Sequence, residues 1–177
     1  MAKKVGILTR LARNLTIGAR ITIYKSVIAP HLDYCSSLIY ISDASSMDRL
    51  QKLQNRAMRA ILRCKKLTPI ARMLEALDLL NVKQRVVENT MKFIYKLMNG
   101  KLPLYLSELV TYNSEVHAYP TRSRNDFRVT LKKDEQSRNS VFYKGLIQFN
   151  ELPKSVKEER DEETFKVKLR KYLKENV

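Results

Sequence analysis

Tryptophan is absent from the 177 residues, glycine occurs 4 times and cysteine twice. Each scarcity excludes something. With so few glycines the chain has no Gly-rich loop to cradle a phosphate, and neither a Walker A segment nor a Gly-x-Gly-x-x-Gly run occurs. Cys35 and Cys64 stand apart with no Cys-x-x-Cys pair, so they read as two small apolar thiols of a reducing compartment. No apolar run approaches the roughly 20 residues that span a bilayer. Without Trp, the aromatic anchor of interfacial helices is missing too, and no membrane partner is expected. The start, MAKKVGILTRL, lacks an extended apolar region and a small-residue cleavage site, so it is expected to be the first helix of the fold. The expected location is intracellular, nuclear or cytoplasmic.

The hallmarks of catalysis are missing as well. There is no Gly-x-Ser-x-Gly elbow and no close Asp–Asp pair on an apolar strand. The expectation is a protein that is not an enzyme, with no catalytic residues, no cofactor and no small-molecule substrate. His31, Asp33 and Cys35 form a His-x-Asp-x-Cys cluster, but zinc takes four ligands and His117 is the only other histidine. No metal site is expected; His31 reads as capping a turn after Pro30, and Cys35 as core.

One further absence is local. The stretch Leu50–Lys66, LQKLQNRAMRAILRCKK, belongs to a window with no acid between Asp48 and Glu75. Surface helices usually gain a few tenths of a kcal/mol from an acid three or four residues before a base. Here Arg49, Lys52, Arg56, Arg59, Arg63 and Lys66 recur at three-four spacing with no acid among them. On a helical wheel of about 100° per residue, Leu50, Leu53, Ala57, Ala60, Ile61 and Cys64 make an apolar stripe, and the cations lie roughly a quarter to a third of a turn away. Such charges flank the buried face, where grooves form. A solvated face and a polyanion site both fit; the missing acids favour the polyanion.

What is present points to helices. Hydrophobic residues make up 44% and charged residues 29%, ordinary for a globular chain, and the length suits one domain or one with an appended subdomain. The net charge is +16: residues 1–74 hold 14 bases against 3 acids, and residues 75–177 hold 20 against 15. Basic charge concentrated in one half is the footprint of a polyanion partner, here RNA or DNA.

Val5, Leu8 and Leu11 or Ala12 predict a first short helix, and Thr16 a cap for a second that stops before Pro30. The run Leu38–Ile41 fits helix or strand. Asp43, Ser45 or Ser46 is expected to cap the long basic helix, which runs to about Cys64. Pro69 suits the first turn of the next helix. Asn81 is expected to cap a helix from Val82 to Asn99 that ends on Gly100. A short helix after Pro103 completes a bundle over residues 1–110.

At Thr111 the character changes. Residues 111–137 are polar with a β-branched patch, predicting an extended or short β segment. Two terminal helices follow in 138–177, one over Val141–Phe149 closed by Pro153 and one over Asp161–Leu173. The fold class is therefore mainly α: a multi-helix bundle, an extended segment and two C-terminal helices. Within Tyr119–Arg128, the cations Arg122, Arg124 and Arg128 interleave with Tyr119 and Phe127. That pattern suits both single-strand stacking and an ordinary basic loop.

Several stretches in one order resemble a known family. They are LTRLARNLTIGARITIYKSVIAPHLDYCSSLIY, DRLQKLQNRAMRAIL, LEALDLLNVKQRVVENTMKFIYKLMNGKLPLYLSELV, NSEVHAYPTRSRNDFRV, NSVFYKGLIQFNELP and TFKVKLRKYL. Together they resemble the region after the polymerase core in jockey-like non-LTR retrotransposon reverse transcriptases, from about Lys4 to Leu173. The resemblance implies a helical thumb and its extension up to about residue 110, gripping a template–primer duplex. It implies that the remainder helps to bind RNA or target DNA. The family's paired aspartates sit upstream, in a Tyr/Phe-x-Asp-Asp motif that this sequence lacks. One departure is Phe149 before the Asn-x-Leu-Pro motif, where the family commonly has Trp. The resulting expectation is a nucleic-acid-binding fragment without polymerase activity of its own. The alternative is an interaction module for an acidic protein or a separate polymerase core.

Overall fold

The computed structural model describes residues 1–34, 36–116, 119, 121 and 123–176, with the backbone alone at Gln136. It is mainly helical, and among the described residues there is no strand. Two compact units divide the chain, unit 1 over Met1–Val87 and unit 2 over Glu88–Val177.

Unit 1 contains α1 (Ala2–Leu11), α2 (Ile17–Ile23), α3 (Pro30–Asp33), α4 (Ser36–Tyr40), α5 (Ala44–Leu62), α6 (Ile70–Ala76) and the start of α7 (Val82–Met98). Their beginnings are fixed by side chains that take up otherwise orphaned amides. The Thr16 hydroxyl accepts from the Ala19 amide at 3.3 Å, and the Asp43 carboxylate from the Ser46 amide at 3.2 Å. At α7 the capping is reciprocal: Asn81 Oδ1 accepts from the Gln84 amide at 2.8 Å and Gln84 Oε1 from the Asn81 amide at 3.0 Å. The ambiguous Leu38–Ile41 run lies mostly in helix α4.

The expected stop before Pro30 does not occur. Residues Tyr24–Ile28 form a π-helical turn, the Ala29 amide donates to the Tyr24 carbonyl at 2.8 Å, and Ala29 stays right-handed helical at φ −57°. The wider turn lets Pro30, which has no amide to donate, begin α3 directly. Helices α1 and α5 pack together, with Val5, Leu8, Tyr24, Ile28, Ala57, Met58, Ile61 and Met73 in one core. Burial of each large side chain there contributes about 1.5–3 kcal/mol.

Unit 2 holds the rest of α7, then α8 (Leu104–Ser107), α9 (Asn113–Val116), α10 (Glu135–Arg138), α11 (Leu146–Asn150), α12 (Lys154–Lys157) and α13 (Glu162–Asn176). Gly100, at φ +63°, ends α7: its amide reaches the Leu97 carbonyl at 3.2 Å, and the Lys101 amide reaches the Lys96 carbonyl at 2.9 Å. This is the double closure that glycine in the left-handed region permits. A second π-helical turn, Val141–Gly145, leads into α11.

Among the described residues, the extended segment expected over 111–137 is reduced to one isolated antiparallel bridge, Tyr112 with Phe127. The reason lies in Asn150. Its side chain accepts from the Phe127 amide at 3.1 Å and donates to the Phe127 carbonyl at 2.8 Å, replacing the neighbour strand that a ladder would need. Phe127 is thereby drawn inside, stacked on Tyr112 at 4.9 Å and edge-on to Phe149 at 5.8 Å. On α13, Phe165, Leu169 and Leu173 are buried, and Phe165 stacks on Tyr95 at 4.0 Å. Asp161 caps that helix through the Thr164 amide at 2.7 Å.

Candidate nucleic-acid interface

Helix α5 contains no Gly or Pro and one β-branched residue, Ile61, and beyond its first turn it is rich in Leu, Gln, Arg and Ala, which favour helix. Its orientation decides what its cations do. The most buried positions are Gln54, Ala57, Met58 and Ile61, whereas Leu50 and Leu53 are only half-buried. The inward face is thus turned towards Gln54 and Met58, and Arg49, Lys52 and Arg56 lie roughly half a turn from its centre. This corrects the expectation that the cations flank the core. They form a solvent-facing ridge.

The turn of the helix follows from a polar lock. Gln54 is fully buried; its Nε2 donates to the Leu80 carbonyl at 2.8 Å and to the Tyr24 hydroxyl at 3.3 Å. Gln51 Nε2 donates to Gln54 Oε1 at 3.0 Å and to Asn55 Oδ1 at 2.8 Å, and Gln51 Oε1 accepts from the Val82 amide at 2.8 Å. A glutamine with all its groups satisfied sits in the core as readily as a leucine.

The six cations are not equivalent. Arg49 and Arg56 are exposed, and no carboxylate pairs with them. Lys52 pairs with Asp48 at 2.6 Å, one turn back, so the acid-free stripe is neutralised at this position. Arg59 is half-buried, and its Nε is enclosed without a hydrogen-bond partner. Arg63 ends the helix in the left-handed region at φ 52°, so the helical rail stops there. Exposed Lys65 and Lys66 follow in the connecting turn rather than on α5. The ridge available to a partner is therefore Arg49, Arg56 and Arg63, with Lys65 and Lys66 beyond its C-terminal end.

Sequence reasoning missed Arg20. It is buried, and its Nη1 donates to the Ala60 carbonyl at 3.3 Å while Nε donates to the Thr16 carbonyl at 3.2 Å. A cation at the end of α5 satisfies a terminal carbonyl and complements the helix dipole. The available signal was the place of Arg20 on the same face of α2 as Tyr24.

The second group is less complete. Arg122 lies outside the described residues, as do Cys35 and His117. Arg124 and Arg128 are exposed, and so is Tyr119. Phe127 is 2% exposed and cannot serve as a base-stacking platform, which corrects its expected role.

Of the His-x-Asp-x-Cys cluster, Asp33 is committed elsewhere. Both Asp33 oxygens accept from Arg85, at 2.6 and 2.7 Å. His31 is exposed, and desolvation, then Lys4 and the amino terminus, hold its imidazole below the ordinary value. Among the described residues, no three His, Cys, Asp or Glu side chains gather as a metal site, and no helix is long and apolar enough to cross a membrane. A groove of about 380 Å³ beside α5 is lined by Met47, Gln51, Ile70, Leu74, Val82 and Lys83. No protein-family model, curated protein or solved structure matches the chain.

Proposed function

We propose that the chain is a helical module that binds the phosphate backbone of RNA or DNA, derived from the region after the palm of a jockey-like retrotransposon reverse transcriptase. It carries no polymerase activity of its own. The observation that supports this most is the ridge of Arg49, Arg56 and Arg63, exposed and with no carboxylate ion-paired to it. Cations at this spacing along about 20 Å of helix meet successive phosphates without reading bases. Binding is then non-sequence-specific. Arg124 and Arg128 would make a second, separate set of contacts in unit 2.

The second reading, docking of an acidic protein or a polymerase core, draws on the apolar groove beside Lys83. The two separate in one competition experiment. A fluorescent 20-residue RNA is bound at low salt, then challenged with unlabelled RNA or with polyglutamate of equal charge. Under the nucleic-acid reading RNA displaces the probe at far lower concentration; displacement by both at equal concentration would favour a generic acidic partner.

A further inference from the structure

In unit 2 several acids and bases pair with one another, whereas two cations that line one pocket have no ion-paired acid. The pocket holds about 380 Å³, towards the small end of ligand-sized cavities, roughly 300–1,000 Å³. Arg124, Lys154 and Lys157 line it, with Thr121, Asp126 and Met98. Lys157 is already held, 2.6 Å from Asp126 and 3.2 Å from the Asn150 carbonyl. Arg124 and Lys154 are exposed, and neither has a hydrogen-bonded or ion-paired acid.

The backbone carrying Arg124 is braced from behind. The Ser114 amide donates to the Arg124 carbonyl at 3.0 Å, the Asn113 amide to the Asp126 carbonyl at 3.1 Å, and Asn113 Nδ2 to the Ser123 carbonyl at 2.9 Å. A braced loop loses little freedom when it takes a ligand.

From this geometry we infer that the pocket is a site for one phosphoryl group carried on a nucleotide. Arg124 supplies a planar fork that matches phosphate oxygens, and Lys154 a point charge. The Thr121 hydroxyl adds a neutral donor. Met98 offers an apolar wall to the attached nucleoside, and the volume exceeds what a bare phosphate needs. Two carboxylates limit the charge the pocket accepts: Asp126 neutralises Lys157, and Glu158 stands in the lining. A monophosphate therefore fits better than a triphosphate. Two sources share this chemistry, the phosphorylated end of a strand and a free nucleoside monophosphate. The inference deepens the nucleic-acid reading in unit 2 alone, and the α5 ridge takes no part in it.

The test compares the full chain with an Arg124→Ala/Lys154→Ala variant. Both side chains are exposed, so the variant is expected to keep the parent's circular dichroism and melting temperature. A single-stranded oligonucleotide bearing a 5′-phosphate is measured against its 5′-hydroxyl twin, and AMP is titrated in parallel by amide chemical shifts. A phosphate advantage of at least fivefold, lost in the variant, supports the site with a strand end as ligand. Equal binding of the twins, with AMP shifting the Thr121 and Asn125 amides only in the parent, supports it with a free nucleotide. Equal binding with no AMP shift at those amides overturns it. The Arg49, Arg56 and Arg63 side chains are unaltered in every arm, so loss of this site leaves backbone binding by α5 measurable.

Discussion

Met1–Val87 carries 16 lysines and arginines against 5 acids, and Glu88–Val177 carries 18 against 13. In unit 2 several acids are answered locally. Glu88 meets Lys92, Glu162 meets Lys101 and Lys166, Glu159 meets Lys168, and Asp126 meets Lys157, all within 3.1 Å. In unit 1, Asp33 and Asp48 are taken by Arg85 and Lys52. The Arg49–Arg56–Arg63 ridge is left without counter-charge. The same basic bias thus means two things: in unit 2 part of it cross-links the surface, in unit 1 the α5 ridge presents an unanswered field. Among the unit 2 cations without an ion-paired acid, Arg124 and Lys154 line one pocket.

The comparison can be broken most decisively by charge reversal. Replacing Arg49, Arg56 and Arg63 by Glu is expected to weaken nucleic-acid binding by more than about a hundredfold near 0.1 M salt. Replacing Lys166 and Lys168 by Gln is expected to change it by less than about threefold, because those charges already have partners. Fluorescence anisotropy on both variants checks this, and equal losses would erase the distinction between the units.

The interiors differ too. Gln54→Leu strands the Leu80 carbonyl and takes a donor from the Tyr24 hydroxyl, at about 2–3 kcal/mol by urea denaturation. Unit 2 is tight where unit 1 is polar: a Cβ on Gly145 would meet Ile94 Cδ1 and Thr90 Cγ2 at 3.1 Å. Gly145→Ala is therefore expected to cost about 1–2 kcal/mol by overpacking in the same assay.

Acid separates the units in a third way. Hydrogen bonds from Lys101 and then Lys166 hold Glu162 down at about 2, against an ordinary 4.5. A carboxyl lowered on folding contributes stability above its unfolded value and loses it as pH falls towards the folded one. Unit 2 should therefore weaken between about pH 4.5 and pH 2. Glu162→Gln should lower stability near neutrality and flatten the acid limb of a stability–pH curve, so that variant and parent converge towards pH 2. The smallest effect is at Lys52: Lys52→Ala removes an exposed pair worth about 0.3–0.5 kcal/mol, detectable only as a small shift in thermal midpoint.

Helix boundaries were legible because they rest on local chemistry. Thr16, Asp43, Asn81, Gly100 and Asp161 act through bonds to residues three to five positions away. What the sequence hid depends on distant partners. Gln54 reads as surface until the Leu80 carbonyl 26 positions on is beside it, and this one residue turned the inward face of α5. Asn150 reads as a turn residue until it clamps Phe127, which removed both the strand and the stacking aromatic. Pro30 reads as a stop because i→i−5 turns leave no periodic mark. Of the candidate ridge, exposure at Arg49, Arg56 and Arg63 was legible, and so in principle was the pairing of Lys52 with Asp48 one turn back; the half-burial of Arg59 was not.

The central claim is that the α5 ridge neutralises phosphates, and the salt dependence of binding measures that directly. Each phosphate contact on a single strand contributes roughly 0.7 to the slope of log K against log salt concentration. Removing three contacts from the Arg49–Arg56–Arg63 ridge should therefore flatten the slope by about 2 between parent and triple charge-reversal variant, with melting temperature retained. Parallel lines for the two proteins, or a parent whose affinity ignores salt, would contradict the account.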